Sequence, residues 1–269
     1  MINLHSRWMD LRRLDELAAN DTEIHRLNPC TKIVTTAIFL IVVASFSKYE
    51  LISLFPLFLY PLTLMNRAAL PFSVIAKRVF ATMPFVLFIG IFNPLLDHTP
   101  GFQVGPFLIS NGWISFFSIL LRFILAVTSA LILVATTGMD KIGSALLRMH
   151  VPKMFVIQLM FMYRYLYVLL DELSRTLLAY SLRSFNETGL PFRVWGPMLG
   201  QLLLRTIDRA QRIYQAMLCR GFSGEVRLLR YNALAKKDIA YCLGWSAFFL
   251  AARIYNIPQW LGALLIGRY

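Results

Sequence analysis

Five long apolar runs limit what this chain can fold into. They are Lys32–Ser47, Leu51–Met65, Val79–Leu96, Gly112–Thr137 and Ile239–Ala252. A helix needs about 20 apolar residues to cross the hydrocarbon core of a bilayer, with a lower limit of about 17, and the runs lie near or above that limit. Charged residues make up 15% of the chain and its mean hydropathy is +0.61, whereas an ordinary soluble domain carries about 25% charged residues. The runs therefore predict an all-α, multi-pass membrane protein.

The Lys and Arg residues predict the orientation of the spans, because loops rich in these residues stay on the cytoplasmic side. Residues 138–237 hold 15 Lys and Arg against six Asp and Glu, whereas residues 97–111 hold neither Lys nor Arg. Basic residues of the first segment, also placed inside, are Arg7, Arg12, Arg13, Arg26 and Lys32. A cytoplasmic N-terminus, five spans and an external C-terminus satisfy every loop except for the single charges of Lys48 and Arg268. The predicted location is the cytoplasmic (inner) membrane.

The same distribution divides the chain into four predicted parts. These are a cytoplasmic N-terminal segment (1–30), a membrane domain of four spans (31–137), a basic helical region (138–237), and the last span with the C-terminus (238–269). In the basic region, a short amphipathic helix precedes two long helices that begin apolar and end polar. Their apolar halves, residues 153–170 and 194–207, either pack against membrane or protein or form two additional spans. The charges do not distinguish these alternatives.

One polar frame occurs twice in the basic region. Asp171–Phe185 and Asp208–Phe222 both read Asp, three residues, Arg, three residues, Ala, three residues, Arg, one residue and Phe. Residues four apart lie on one face of a helix, and Asp before Arg is the favourable order. The frame therefore predicts two matching stripes, formed by Asp171, Arg175, Ala179 and Arg183 and by Asp208, Arg212, Ala216 and Arg220.

Each frame places an arginine at a helix end. Gly221 is a natural helix stop because glycine accepts the left-handed conformation, and Ser184 is a weaker one. A guanidinium binds carboxylates at two points and does not lose its charge, so each end could enter an acidic pocket of a partner. A cation at a helix C-terminus is also favourable through the helix dipole alone. Two copies in register favour two equivalent partner sites over the dipole alone.

Several segments together carry a family resemblance. They are IHRLNPCTKI (Ile24–Ile33), ALLRMHVPKMFVIQLMFMYRYLYVLLDEL (Ala145–Leu173), and the two ends SLRSF and CRGF. The chain resembles the transmembrane T component of energy-coupling factor (ECF) transporters, of the cobalt/nickel CbiQ/NikQ type. Its two ends match the X-Arg-X motifs of that family. Departures from the usual family residues are Cys30, Thr31, Leu182 and Cys219.

The resemblance implies that residues 138–237 are coupling helices with two motifs, Leu182-Arg183-Ser184 and Cys219-Arg220-Gly221. Each motif would dock on one of two ATP-binding-cassette (ABC) subunits of the CbiO/NikO kind, whose acidic residues hold the arginine. Closure of the ATPases on ATP would then move a substrate-binding membrane subunit of the CbiM/NikM kind, with a small auxiliary membrane subunit alongside. The chain itself would supply no catalytic residue, no cofactor and no metal ligand. It would contact the lipid bilayer and no nucleic acid.

Residues that often carry other chemistry are scattered. The histidines (His5, His25, His98, His150) and cysteines (Cys30, Cys219, Cys242) have no metal-ligand spacing, and the chain has no GxxxxGK[ST] loop for ATP. Arg122, deep in an apolar run, is a functional charge, or it bonds a carbonyl or extends to the interface. Arg164 either pairs with Asp171 or contacts lipid phosphate.

Three rival functions are weighed against the metal transporter. The first is the T component of an ECF system for a vitamin. The second is a stand-alone membrane channel or enzyme, which needs acidic or histidine residues inside spans, where Asp and Glu are nearly absent. The third is binding of anionic lipid headgroups by the basic region. Lys and Arg should then be interchangeable, yet the repeated frame uses only Arg.

Overall fold

Helices make up most of the described structure. The computed structural model describes residues 15–47, 50–96, 100–104, 107–184, 191–224 and 234–254. The predicted all-α fold class is confirmed, and the described residues add one short antiparallel hairpin, β1 (Pro100–Val104) with β2 (Phe107–Ser110). Several residues used for the predicted orientation and the histidine survey lie outside the described part, namely His5, Arg7, Arg12, Arg13, Lys48, His98 and Arg268.

The chain divides into two compact units. The apolar unit is drawn from Leu17–Gly138 and Asn232–Tyr269, and the basic unit from Met1–Glu16 and Met139–Tyr231. The four-part division made from the sequence stays a prediction.

The apolar unit contains most of the helices. They are α2 (Glu23–Arg26), α3 (Pro29–Ser45), a 3-10 helix (Ile52–Phe58), α4 (Leu59–Arg67), α5 (Phe72–Gly90), α6 (Phe92–Leu96), α7 (Asn111–Thr137) and α11 (Lys236–Ile254). Helix α1, described at residues 15–18, precedes them and begins in the basic unit. Helix α7 packs against α3, α4, α5 and α6, while α11 packs against α3 and the 3-10 helix.

Three described helical segments are long and apolar enough to cross a membrane, namely Phe72–Leu95, Asn111–Thr137 and Lys153–Arg183. The first two correspond to the predicted third and fourth spans. The predicted first span, α3, is a shorter apolar helix of 17 residues. The second apolar run is not one α-helix, because it begins as a 3-10 helix around Pro56 and continues as the nine-residue α4. Proline lacks the N–H that an α-helix needs in its interior.

An aromatic cluster joins α3, α4 and α11. The ring of Tyr60 lies 4.7 Å from Phe39, 5.0 Å from Trp245 and 5.1 Å from Phe249 between centroids. The Tyr60 hydroxyl is 3.1 Å from the Thr36 hydroxyl, so its polar atom has a partner inside the core. Such tilted and edge-on aromatic pairs stabilise a core beyond their buried area. The cluster accounts for the packing of α11 against α3.

A buried polar junction supplies the hydrogen-bond partners of the segment around Asn28 and Lys32. The Lys32 ammonium donates to the carbonyl of Thr136 at 2.9 Å, near the C-terminus of α7, where a helix attracts positive charge. The Asp238 carboxylate accepts the backbone N–H of Asn28 at 3.0 Å and that of Ala235 at 2.9 Å. Asp238 is only 5% exposed. The junction therefore ties the starts of α3 and α11 to the end of α7.

Replacing Asp238 by alanine should destabilise the apolar unit, because it removes the acceptor of two backbone N–H groups. The N–H of Asn28 is buried, and leaving a buried donor unsatisfied costs about 1–3 kcal/mol, whereas the N–H of Ala235 is only partly buried and adds less. The measurement is thermal unfolding of the purified chain in detergent. Asp21→Ala is the matched control, since Asp21 pairs with Arg26 at the surface, where both side chains are about 70% exposed and such pairs are worth at most about 1 kcal/mol. Equal melting temperatures for the two variants would contradict the assigned role of Asp238.

Arg122 bonds a backbone carbonyl, which is one of the alternatives left open by the sequence. Its guanidinium donates to the carbonyl of Ser47, just beyond the C-terminal end of α3. Arg253 donates to the carbonyl of Ser45 at 3.1 Å and lies over the Phe46 ring at 4.8 Å. Two guanidinium groups thus satisfy carbonyls at the end of α3, which its dipole favours.

The basic unit contains α8 (Met139–Arg148), α9 (Lys153–Arg183) and α10 (Phe192–Cys219). Helix α8 packs on α9, and Gly143 permits their close approach, since an added Cβ would lie 2.9 Å from Met160. Pro152 is the N-cap of α9. The short amphipathic helix and the two long helices predicted here are confirmed. Because α9 meets the criteria of length and composition for a span, the alternative that its apolar half crosses the membrane stays open.

Candidate functional site

The candidate site consists of the ends of α9 and α10, together with the contact between these two helices. The helices have 31 and 28 residues, which correspond to lengths of about 45 and 40 Å at 1.5 Å per residue. Leucine, methionine, arginine and glutamine, all good helix formers, are frequent in both. Each helix is therefore long enough to carry a charge far from the place where the two helices meet.

Helix α9 ends at Arg183, its last helical residue. The N–H of Ser184 closes the last turn by donating to the carbonyl of Tyr180 at 2.9 Å. Leu182 and Arg183 are exposed, and Ser184 is half-buried. The apolar side chain of Leu182 is 70% exposed. It lies next to Arg183 and is available to a partner surface.

Helix α10 ends in a Schellman motif. Gly221 has a φ of +78°, its N–H donates to the carbonyl of Leu218 at 2.9 Å, and the N–H of Phe222 donates to that of Met217 at 3.0 Å. These are the two hydrogen bonds that define the motif. The predicted helix stop at Gly221 is confirmed. Arg220, the residue before it, is the exposed C-cap, and Cys219 is also exposed.

The two stripes share their positions but not their pairing. Asp171 and Arg175 form an exposed salt bridge at 2.8 Å, while in the part of the chain that the structure describes no salt bridge joins Asp208 to Arg212, which are both exposed. Ala179 and Ala216 are both exposed. Phe185 lies outside the described residues. Because Arg183 closes a helix and Arg220 caps one, the two ends are similar rather than identical.

Glu172 connects the two long helices, and the sequence did not reveal it. Its carboxylate forms a salt bridge with the guanidinium of Arg205 at 2.8 Å and lies 4.0 Å from the guanidinium of Arg209. Glu172 is 24% exposed at its side chain, more protected than either residue of the Asp171–Arg175 pair. The partners are more than 30 residues apart, so no local spacing could have indicated them.

An apolar groove continues from this contact. It has a volume of about 270 Å³ and is lined from α9 by Phe161, Tyr165 and Leu169, and from α10 by Ala210, Ile213 and Met217. Residues earlier in α9 thus face residues later in α10, so the helices cross in antiparallel fashion. The two arginines therefore lie at opposite ends of the helix pair, with Arg183 beyond the Glu172 contact and Arg220 between two residues that line the groove, Met217 and Phe222. Arg183 lies 11 residues beyond Glu172, and Arg220 lies 11 beyond Arg209, which is about 16 Å along each helix.

Arg164 does not form the salt bridge with Asp171 that was one of its two predicted contacts. Asp171 pairs with Arg175 and not with Arg164, which is exposed. Contact between Arg164 and lipid phosphate stays a prediction.

The histidines that the structure describes occupy different environments. His25 is buried, 2.7 Å from the Thr22 hydroxyl through Nδ1 and 3.0 Å from the carbonyl of Leu17 through Nε2. His150 is exposed in the turn after α8. Among the described residues, no three His, Cys, Asp or Glu side chains are grouped so that they could hold a metal ion.

Comparison with protein families decides the assignment. The family model described as "CbiQ: Cobalt transport protein" matches residues 20–229. The chain belongs to the CbiQ family. The match covers the Asn28–Lys32 junction, the long helices and both arginine ends. The family resemblance found in the sequence is therefore confirmed.

Individual relatives of this CbiQ-family chain name the kind of transporter. The energy-coupling factor transporter transmembrane protein EcfT of Leuconostoc gelidum subsp. gasicomitatum is 26% identical, over 88% of this chain and 94% of the relative. EcfT of Bacillus subtilis (strain 168) is 24% identical, over 92% and 98%. The nickel permease LarQ of Lactiplantibacillus plantarum is 33% identical over 33% of each chain.

These matches identify the chain as the transmembrane T component of an ECF transporter, a membrane protein. T components act together with ATPases and substrate-binding subunits. The chain is therefore a transporter component and not an enzyme, and ATP hydrolysis takes place on partner subunits.

Proposed function

We propose that Arg183 and Arg220 each hold one ABC ATPase subunit on the cytoplasmic side, and that α9 and α10 pass the motion of the ATPases to a substrate-binding membrane subunit. The antiparallel crossing supports this proposal most strongly. It directs one permanent positive charge to each side of the crossing, and an ATPase dimer has two halves to be held. A guanidinium suits the task because it binds carboxylates at two points.

Each arginine would enter an acidic groove, and Leu182-Arg183-Ser184 and Cys219-Arg220-Gly221 would form the contacts. The stripes of Asp171, Arg175 and Ala179 and of Asp208, Arg212 and Ala216 have a secondary part: they support the two helix ends but do not enter the acidic grooves, so a change of their charges affects docking far less than a change at the ends. The small alanines allow another surface to approach closely. No catalytic residue, cofactor or metal ligand is proposed on this chain.

The proposed substrate is cobalt or nickel, delivered by a membrane subunit of the CbiM/NikM kind and powered by ATPases of the CbiO/NikO kind. A small auxiliary membrane subunit completes the proposed assembly. The description of the family and the partial match to a nickel permease support a divalent metal. The names of the two EcfT relatives, which match over most of their length, specify no substrate. The proposed orientation is an internal N-terminus in the cytoplasmic membrane.

The experiment is affinity purification of a tagged chain from its native host, followed by uptake assays with radioactive cobalt and nickel. Recovery of an ABC ATPase, together with ATP-dependent uptake of either metal, is the expected result. Recovery without any ATPase would refute the docking role. Uptake of a vitamin in place of a metal would refute the substrate and leave the docking role standing.

Gly221 provides a conservative test of the second helix end. Gly221→Val should weaken ATPase binding about tenfold, because a left-handed residue with a side chain costs about 1–2 kcal/mol and the last turn would change to avoid that cost, moving Arg220. An added Cβ at Gly221 meets no atom within 4 Å, so steric overlap does not account for the effect. Gly221→Asn is the control, since asparagine tolerates this conformation. Equal affinities of the two variants for the ATPase, measured by titration, would refute the assigned role of Gly221.

A further inference from the structure

A carboxylate from the N-terminal segment is bound to the middle of α9 within the basic unit. The hydroxyl of Tyr163 donates to one oxygen of Asp15 and the hydroxyl of Tyr167 donates to the other, both at 2.6 Å. The two hydroxyls are 2.9 Å apart. All three residues are half-buried. We call this arrangement the Asp15 anchor.

The geometry of the Asp15 anchor is specific. Tyr163 and Tyr167 lie one turn apart on the same face of α9, so only a group directly over that face can receive both hydroxyls. Short hydrogen bonds to an ionised acceptor are about twice as strong as neutral ones. Tyr165, between them in sequence, lines the groove towards α10 instead. The anchor and the α10 contact therefore use different faces of α9.

The anchor is far from the Arg183 end of α9, so it matters for how α9 transmits movement. Tyr167 lies 16 residues before Arg183, or about 24 Å along the helix. Asp15 lies two residues before Leu17, at which the chain enters the apolar unit. Without a bond between α9 and the N-terminal segment, movement of an ATPase at Arg183 would displace α9 and leave that segment unmoved. With the anchor in place, the same movement of α9 also moves Asp15 and the segment that leads into the apolar unit.

We propose that Asp15 is a positioning residue for energy coupling: held by Tyr163 and Tyr167, it transmits the movement of α9 to the N-terminal segment and so to the membrane spans. This inference rests on the proposed docking of the ATPases at the helix ends. It assigns the N-terminal segment a mechanical task that is separate from ATPase binding. The contact persists through the transport cycle, since a contact that opened could not transmit force.

The test compares Asp15→Asn with Glu16→Gln in the assembled transporter. Loss of hydrogen bonds to a charged acceptor should lower ATP-dependent metal uptake at least about tenfold in Asp15→Asn, with ATPase co-purification and ATP hydrolysis within about twofold of wild type. Glu16→Gln makes the same carboxylate-to-amide change at the next residue, which is exposed and outside the anchor, and it should keep its uptake. Asp15→Glu, which retains the charge, should recover part of the lost uptake.

A second variant separates coupling from folding. Asp15→Leu combined with Tyr163→Phe and Tyr167→Phe replaces the three polar groups of the anchor together by apolar ones, so the protein should fold, yet uptake should remain low. Normal uptake in Asp15→Asn would overturn the inference. Loss of bound ATPases in the triple variant would also overturn it, because the contact would then serve the docking ends. If the wild-type chain bound no ATPase, the proposed function itself would fail.

Discussion

Changing both Arg183 and Arg220 to glutamate should remove the ATPase subunits from the complex and abolish uptake. Truncating one partner of a buried charge pair costs about 2–5 kcal/mol, and two such losses weaken binding at least about a thousandfold. Reversal of the charge adds repulsion from the acidic groove to this loss. Co-purification of the ATPases and ATP-dependent uptake are the measurements.

Arg175→Glu combined with Arg212→Glu is the matched control. It makes the same change in charge on the same two helices, two turns before the ends. Arg175 contributes only an exposed pair with Asp171, and Arg212 is exposed, so binding should change little. If the control lost its ATPases as completely as the end variant, general electrostatic attraction and not the motifs would hold the complex together.

Reversing the charge of Glu172 should lower uptake severely while the ATPases remain bound. In Glu172→Lys a third cation would face Arg205 and Arg209, which now lie 2.8 and 4.0 Å from the carboxylate. Like charges at such distances repel, so the crossing of α9 and α10 would loosen. Each arginine end would still bind its ATPase, but closure of the ATPases would no longer move the helices together.

Asp171→Lys is the neighbouring control and should behave almost as the wild type, because its pair with Arg175 is exposed. Adding Arg205→Glu to Glu172→Lys restores opposite charges across the crossing and should recover much of the uptake. The measurements are uptake and ATP hydrolysis on the same preparation. Unchanged uptake in Glu172→Lys would show that the crossing does not carry the motion.

The sequence predicted the parts of the candidate site that depend on local pattern. The helix stop at Gly221 followed from the conformational freedom of glycine, and the Asp171–Arg175 pair from helical spacing. The repeat of the frame also placed both arginines at helix ends. In the first two cases the determining residues are at most a few positions apart, and the third depends on the likeness of two short stretches of sequence.

Contacts between distant residues could not be predicted in this way. Glu172 with Arg205, and Asp15 with Tyr163 and Tyr167, join segments whose separation gives no periodic signal. The polar junction at Asp238 brings together residues more than 200 positions apart. The second apolar run, predicted as a span, does not form a single α-helix, and hydropathy alone does not show that it begins as a 3-10 helix that contains Pro56. The partner of Arg122 could be identified only from the structure, because it is a backbone carbonyl just beyond the end of another helix.

The native Cys219 allows a direct measurement of whether ATPases cover the end of α10. It is exposed next to Arg220, whereas Cys30 and Cys242 are half-buried in the apolar unit and can be replaced by alanine. In that variant, a membrane-impermeant maleimide should label Cys219 from the cytoplasmic side only, and bound ATPase should protect it. Labelling from the external side, or equal labelling rates with and without the ATPase, would contradict docking at this helix end.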